Sequence, residues 1–268
     1  MSDIPASLVK QLRDLTGAGM MDCKRALVQT GGDIDGAVKW LREKGLASAG
    51  KKADRETTDG LVGYMVSNGA GSMVGVGSET DFVAKNAEFQ AFAEKVLRAV
   101  HAEGEGAVER FEQERKELIG KLGENIVIVD ATRFEISDGH VVSGYAHPPA
   151  NKIGVLVELE GGTPELARHL AMHISFAAPE WTVRDEVPAA VVENERAIFL
   201  NSDEVQSKPE VAREKIVDGM LGKRFFAATP GGVLFDQPWI HDPAKTVGQA
   251  LEEAGASVAR FARISVAG

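Results

Sequence analysis

The chain has 268 residues and a mass of 28.6 kDa, with 44% apolar and 26% charged residues. These values exclude an intrinsically disordered chain, a collagen-like repeat and a small disulfide-rich scaffold, and the length fits about two domains. The chain carries 30 Lys and Arg residues against 40 Asp and Glu residues, which gives a formal net charge of −10. This charge argues against nucleic-acid binding, because phosphate backbones are bound by cationic side chains.

Cysteine usage and hydropathy predict the cellular compartment. Cys23 is the single cysteine, so neither an internal disulfide nor a cysteine-based zinc site can form, as is usual in reducing compartments. Residues Met1–Pro5 lack the basic and apolar segments of a secretory signal. No apolar run approaches the roughly 18 residues that span a bilayer. We therefore predict a cytoplasmic protein without a membrane partner.

Residues 1–54 are predicted to form three short helices and a linker. Leu8 and Leu12 recur at helical spacing in the first helix, and Asp33 is suited to cap the third. Glycine readily adopts the left-handed conformation that ends a helix, so the helix ends are predicted at glycines. These are Gly17, Gly19, Gly31, Gly32 and Gly45. The charged segment 50–55 is expected to be the linker.

The pattern changes to strands in residues 55–143, which are predicted to hold a β-hairpin followed by a helix. The apolar strands Leu61–Val66 and Met73–Val76 flank a glycine-containing turn at residues 67–71. The helix that follows is expected to begin after Asn86, because asparagine is a favourable N-cap residue.

Residues 144–268 are predicted to repeat this unit. The strand Ile153–Val157 precedes a helix that Thr163 would cap, with Pro164 in its first turn. An antiparallel helical hairpin is expected as an insertion at about residues 187–225, where apolar positions are too few for a domain core. The predicted fold class is α+β: an N-terminal three-helix module, then a duplicated hairpin–helix α/β core with the inserted helical hairpin.

The two predicted copies differ between strand and helix. Aligning the equivalent strand glycines and helix caps leaves about two extra residues in the first copy, within the segment Glu79–Lys85. One interpretation is a helix-entry loop in which Phe82 folds back onto the following helix. The other is a protruding turn in which Phe82 enters an apolar pocket of a partner while Asp81 competes for a cation site. Met20 and Met21 leave a similar choice between core packing and a flexible binding surface.

Residues typical of catalysis are scarce in the sequence. His169 and His173 stand four apart on a predicted helix, like two ligands of a zinc protease, but the glutamate of such a motif is missing between them. The sequence has no glycine-rich loop ending in Lys-Ser or Lys-Thr, so this chain is not expected to bind nucleotide phosphates itself. Three function classes remain: a factor that acts on another protein, a passive binding scaffold, and a metal hydrolase that uses the two histidines and a carboxylate.

Two long segments closely resemble the signature sequences of the bacterial elongation factor Ts family. They are residues 15–27, LTGAGMMDCKRAL, and residues 80–86, TDFVAKN. Shorter similarities follow in the family's order at residues 121–125, 171–173 and 242–249. Several long motifs in one order along nearly the whole chain are not expected by chance.

The resemblance implies a guanine-nucleotide exchange factor that acts on elongation factor Tu and has no cofactor or catalytic residue of its own. It would bind that partner both with GDP and free of nucleotide, without direct contact to nucleic acid. In this family a short turn dislodges the Mg²⁺ ion of the partner. The corresponding residues here are Thr80, Asp81, Phe82 and Val83.

The family's other contacts come from the N-terminal module, from a segment that approaches the partner's phosphate loop and from a histidine in the second copy. The corresponding residues here are Arg13, Met20, Met21, Leu122, Gly123 and His147. The helical hairpin predicted at residues 187–225 resembles the family's coiled-coil insertion.

Overall fold

The computed structural model describes residues 4–267, apart from the side chains of residues 46–48. Residues 1–3 lie outside this part, so the prediction made from Met1–Pro5 falls mainly on residues that are not described. The helices are α1 (Ala6–Thr16), α2 (Met20–Gln29), α3 (Ile34–Lys52), α4 (Asp81–Ala84), α5 (Ala87–Glu103), α6 (Glu112–Leu122), α7 (Pro164–Ala177), α8 (Ala189–Leu200), α9 (Asp203–Gln206), α10 (Glu210–Met220) and α11 (Val247–Glu253). The strands are β1 (Asp59–Ser67), β2 (Ala70–Ser78), β3 (Ile126–Glu135), β4 (His140–Ala146), β5 (Ile153–Glu160), β6 (Pro238–Trp239), β7 (Asp242–Thr246) and β8 (Ser257–Ser265).

Helices α1, α2 and α3 bury a small apolar core between them. Leu12, Leu27 and Ala37 contribute one buried side chain from each helix. Gly17 ends α1 in the left-handed conformation, with φ of 64°, as predicted. The Asp33 carboxylate caps α3 by accepting hydrogen bonds from two backbone amides of its first turn.

The prediction that Gly45 ends α3 is wrong, because this helix continues to Lys52 and takes up part of the expected linker. Gly45 instead allows close packing against α6. A Cβ atom added at Gly120 of α6 would lie 2.5 Å from the Gly45 Cα, so neither position has room for a side chain. The N-terminal helices are thereby held directly against the core.

Two antiparallel three-stranded sheets form the core, with strand orders β1-β2-β3 and β4-β5-β8. A helix follows the central strand of each sheet, α5 after β2 and α7 after β5. The first hairpin is closed by Asn68 and Gly69, both with positive φ, as a tight two-residue turn requires. The α+β class is confirmed, and the hairpin–helix order occurs twice.

The sheets pack face to face, and α5 and α7 cover their outer surfaces. Because alternate side chains of a strand point to opposite faces, Met73 of β2 faces the second sheet while Val74 faces α5. Glycines allow this close approach of the two sheets. A Cβ atom added at Gly71 would lie 2.5 Å from the Val142 side chain, and one at Gly154 would overlap Val62.

The strand-to-helix connections differ more than the sequence predicts. Eight residues, 79–86, join β2 to α5, whereas three residues, 161–163, join β5 to α7. The predicted difference of two is too small because β5 continues six residues past Gly154, while β2 ends three residues past Gly75. The extra length of the first connection contains the helical turn α4.

The predicted helical hairpin is formed by α8 and α10, with the short helix α9 between them. Arg196 of α8 pairs with Asp218 of α10 at 2.7 Å. The hairpin encloses a small apolar cluster, which includes Val205 and Val217. Within residues 4–267, no helix combines the length and the apolar character needed to cross a bilayer.

Candidate functional site

Helix α4 is a single turn that exposes one apolar side chain and buries the next. Phe82 is 82% exposed, whereas Val83 and Ala84 are each 8% exposed and belong to the core beneath α5. The interpretation that Phe82 folds back onto the following helix is therefore wrong. Asn86 caps α5 as predicted, because its side chain accepts a hydrogen bond from the Glu88 amide at 2.8 Å. The turn is thus fixed on its inner side while its aromatic ring faces outward.

The start of this turn is held by the segment that follows α6. Glu124 accepts one hydrogen bond from the Thr80 amide at 2.9 Å and another from the Thr80 hydroxyl at 2.6 Å. In the opposite direction, the Asn125 amide donates to a carboxylate oxygen of Glu79 at 2.6 Å. These bonds join two segments that lie 44 and 46 residues apart in the chain.

Asp81 carries a negative charge that is paired within the turn itself. Its carboxylate accepts a hydrogen bond from the Lys85 ammonium at 2.6 Å. This hydrogen bond is the main reason why the pKa of Asp81 is lowered from its ordinary value of 3.8. Lys152, in the turn before β5, adds a smaller electrostatic contribution in the same direction to the pKa of Asp81. The Asp81 carboxylate is therefore ionised at neutral pH.

Leu122 and Gly123 lie next to this turn, as the end of α6. Gly123 has φ of 84° and ends the helix in the left-handed conformation, which directs Glu124 toward Thr80. The structure therefore brings two of the predicted contact regions together, the segment Thr80–Val83 and the pair Leu122 and Gly123.

His147 lies in the exposed turn between β4 and β5. Its Nδ1 atom is 3.0 Å from the hydroxyl of Tyr145. The same turn is joined to the first sheet, because the Val62 amide donates to the Asn151 carbonyl at 2.7 Å and Lys152 pairs with Asp59 at 2.5 Å. The turn that carries His147 is thus attached to β1, the strand that also contacts α4.

The three predicted residues of the N-terminal module lie on its surface. Met20 and Met21 are 53% and 64% exposed, so the interpretation that they fill the core is wrong. Arg13 is also exposed on α1. A groove of about 860 Å³ lies between this module and helices α5 and α6, and its lining includes Leu15 and Gly123. No described hydrogen bond or ion pair joins the module to α4 directly.

His169 and His173 do not face a common site. The His173 ring is buried, lies 2.9 Å from the Gln237 side chain and stacks on Trp239, and burial lowers its pKa. His169 stacks instead on His241, with 4.4 Å between ring centroids. Among the described residues, no cluster of three or more His, Cys, Asp or Glu side chains is arranged to hold a metal ion. The geometry gives no support to the metal-hydrolase hypothesis.

Two residues of the site were not identified from the sequence, Lys85 and Glu124. Lys85 follows Asp81 by four residues within a helical turn, which is a recognisable signal for an ion pair. Glu124 lies within a segment that resembles the family, yet no local pattern indicates that it contacts Thr80.

Comparison with known proteins agrees with the motifs. A family profile described as elongation factor TS matches residues 79–268. An elongation factor Ts of Alkalilimnicola ehrlichii is 44% identical over 275 aligned positions, which cover 98% of this chain and 92% of the relative. Proteins of the same name from Escherichia coli and Serratia proteamaculans are each 42% identical over 270 positions, covering 99% of this chain and 92% of each relative.

Proposed function

This chain belongs to the elongation factor Ts family of translation elongation factors, and from this premise we propose that it promotes GDP release from elongation factor Tu. In this proposal it binds the nucleotide domain of its partner, dislodges the Mg²⁺ ion and stabilises the nucleotide-free state until GTP binds. No covalent bond is made or broken in such an exchange, so no catalytic constellation is needed.

The exposed ring of Phe82 is the observation that carries this proposal. An aromatic side chain that is 82% exposed on a fixed turn is available to enter an apolar pocket of another protein. Burying a phenylalanine side chain contributes about 1.5–3 kcal/mol. This energy is gained when the partner opens to accept the ring, so it can offset part of the cost of displacing the ion.

Asp81 supplies the charge beside this ring. Mg²⁺ bridges the phosphates to the protein and neutralises their charge, so its loss weakens GDP binding. In the proposed complex, the Asp81 carboxylate exchanges its bond with Lys85 for groups of the partner that surround the ion. Thr80, bonded to Glu124, and Val83, buried in the core, hold the two ends of the turn that carries Asp81 and Phe82 in place.

The remaining predicted contacts surround this turn. Leu122 and Gly123 are next to Thr80 through Glu124, and Met20 and Met21 offer exposed flexible side chains on the N-terminal module. We assign these residues, with Arg13 and His147, to binding of the partner. Docking through them would place the Phe82 ring at the nucleotide site.

Thermodynamic linkage requires exchange to work in both directions. If this chain binds nucleotide-free elongation factor Tu more tightly than the GDP form, GDP must weaken the binding of this chain by the same factor. A high GTP concentration then completes the cycle, because GTP binding releases the factor.

The test measures dissociation of fluorescent GDP from elongation factor Tu after addition of excess unlabelled GDP. The full chain is expected to raise the dissociation rate by at least about 100-fold at saturation, equivalent to a lowering of the dissociation barrier by about 3 kcal/mol. A chelator that removes Mg²⁺ beforehand should reduce this acceleration, because the ion that the factor would displace is then already absent. A passive scaffold would bind the partner and leave the dissociation rate unchanged in both conditions.

A further inference from the structure

The hydroxyl of Thr80 is used in an unusual way at the start of α4. Threonine at an N-cap position normally accepts a hydrogen bond from a backbone amide of the first helical turn. Thr80 occupies the N-cap position with extended φ and ψ of −131° and 159°, but its side chain makes no capping bond. Its hydroxyl donates instead to Glu124 at 2.6 Å.

Glu124 engages the turn with both of its oxygens. One oxygen accepts from the Thr80 amide and the other from the Thr80 hydroxyl, so the carboxylate fixes both the backbone and the side chain of this residue. Hydrogen bonds to an ionised acceptor are shorter and stronger than neutral ones, and two bonds to one carboxylate add geometric specificity. The start of α4 is therefore oriented by a residue of another segment, not by a cap of its own.

A rigid turn needs more than one attachment point to set a direction. Val83 supplies the first through its buried side chain, and Glu124 supplies the second through Thr80. Phe82 lies between the two attachments. The Ser78 hydroxyl also donates to the Thr80 carbonyl at 3.0 Å, and Ala84 is buried beside Val83, so the two Glu124 bonds add to these contacts in setting the direction of the ring.

We propose that Glu124 is a positioning residue for exchange: it orients the turn Thr80–Val83 so that the Phe82 ring meets its pocket in the partner. This inference rests on the proposed function and deepens it, since it links the segment of Leu122 and Gly123 to the turn. Partner contacts made at Gly123 act directly on Glu124 and thereby on Thr80.

The first test uses the free chain and needs no partner. Hydrogen exchange of the peptide covering residues 79–86 is compared between the wild type, Glu124→Gln and Glu124→Ala. Glutamine accepts through one oxygen only and its NH2 group can at best donate to the Thr80 hydroxyl, so the bonds to an ionised acceptor are lost, and alanine makes neither bond. Exchange in this peptide is expected to become about fivefold faster in Glu124→Gln and at least about tenfold faster in Glu124→Ala, with unchanged protection in α5.

The matched control is Glu94→Gln, which removes an equivalent charge from an exposed pair with Arg98 on α5. This control should leave exchange in residues 79–86 at the wild-type rate. Unchanged exchange in both Glu124 variants would overturn the inference, and so would a loss of protection spread evenly over the whole core.

The second test measures GDP release from elongation factor Tu over a range of factor concentrations. Glu124→Gln is expected to lower the maximal release rate about fivefold and to change the half-saturating concentration less than twofold, because docking through the N-terminal module is retained. A change confined to the half-saturating concentration would contradict a positioning role.

A double-mutant cycle with Thr80→Val identifies the contact responsible. Valine removes the hydroxyl but keeps the shape of the side chain, so its effect should not add to that of Glu124→Gln. Thr80→Ser keeps the hydroxyl and should restore most of the rate lost in Thr80→Val. Additive effects would show that Glu124 does not act through the Thr80 hydroxyl, and would overturn that part of the inference, since Thr80→Val leaves the bond from the Thr80 amide in place.

The outcomes also separate this inference from the proposed function. Failure of the wild type to accelerate GDP release would disprove the proposed function, and the exchange measurement would still decide whether Glu124 orients the turn. Acceleration by the wild type together with normal exchange and normal release rates in both Glu124→Gln and Glu124→Ala would disprove the positioning role alone.

Discussion

The two strand-to-helix connections of the core have opposite properties, although each follows the central strand of a three-stranded sheet. The second uses three residues, and two of them, Gly161 and Gly162, have φ near 70°. The first uses eight residues and contains α4, with Phe82 on its surface. One connection only reverses the chain, and the other presents a side chain.

The caps of the following helices show how this difference is possible. The Thr163 hydroxyl accepts a hydrogen bond from the Leu166 amide at 3.1 Å, and Asn86 does the same for Glu88 at 2.8 Å. Both helices therefore begin in equivalent ways. Extra residues placed between the end of a strand and a helix cap disturb neither element, so this position can carry a binding turn without loss of the fold.

The largest expected effect on stability concerns the second connection and is produced by Gly161→Ala. Gly161 has φ of 74°, and an added Cβ atom would lie 2.7 Å from the carbonyl oxygen of Gly255. Left-handed strain together with a backbone clash is expected to lower the free energy of unfolding by about 3 kcal/mol. Chemical denaturation measures this loss, and GDP release per folded molecule should remain normal.

Gly255→Ala is the matched control for this prediction. Gly255 also has a positive φ, of 61°, but an added Cβ atom would meet no atom within 4 Å. Its cost should be the strain alone, about 1 kcal/mol. Equal losses in the two variants would mean that the second connection is not closely packed.

Val83→Ala is expected to have the next largest effect and to change both stability and exchange. The side chain is buried in the core beneath α5, and its truncation leaves a small cavity worth about 2 kcal/mol. The attachment of α4 is weakened at the same time, so the maximal rate of GDP release should also fall. Val211→Ala, at a fully exposed position of α10, should change neither quantity.

Phe82→Ala should separate function from stability in the first connection. Removal of an exposed ring is expected to lower the maximal GDP-release rate about tenfold, about 1.4 kcal/mol, with no measurable change in the unfolding midpoint. Phe176→Ala provides the comparison, because that ring is 71% exposed on α7, in the other copy. Equal losses of rate in the two variants would remove the special role of the first connection.

Features set by neighbouring residues could be predicted from the sequence. The caps at Asn86 and Thr163 and the first turn at Pro164 are formed as expected, because each depends on contacts within a few residues. Gly45 was misassigned because its role depends on Gly120, which is distant in the chain and close in space. A glycine that ends a helix and a glycine that admits a neighbouring helix look the same in a sequence.

In the candidate site, too, features set by neighbouring residues could be predicted, and contacts between distant segments could not. The resemblance to the family predicts the turn Thr80–Val83 and the pair Leu122 and Gly123 as contact regions, but not that the two regions touch. That contact is made by Glu124 across 44 residues. The exposure of Phe82 could not be derived either, because Phe82 and Val83 are adjacent apolar residues and the sequence does not show which of them faces the core.

Lys85→Met is expected to produce the smallest effect in the first connection. Both partners of the Asp81–Lys85 pair are exposed, so loss of the pair should lower the unfolding midpoint only slightly at neutral pH. The pKa of Asp81 should rise toward 3.8, because its largest lowering cause is the hydrogen bond from Lys85. In the wild type, the lowered pKa of Asp81 means that the pair stabilises the folded state. This small contribution to the free energy of unfolding is complete above the unfolded-state pKa of the carboxyl group, and it is lost as the pH falls through the folded-state pKa. An NMR titration of the Asp81 carboxyl carbon measures this shift. An unchanged titration would show that Lys85 does not hold Asp81 in solution, and the carboxylate would then already be free before the partner binds.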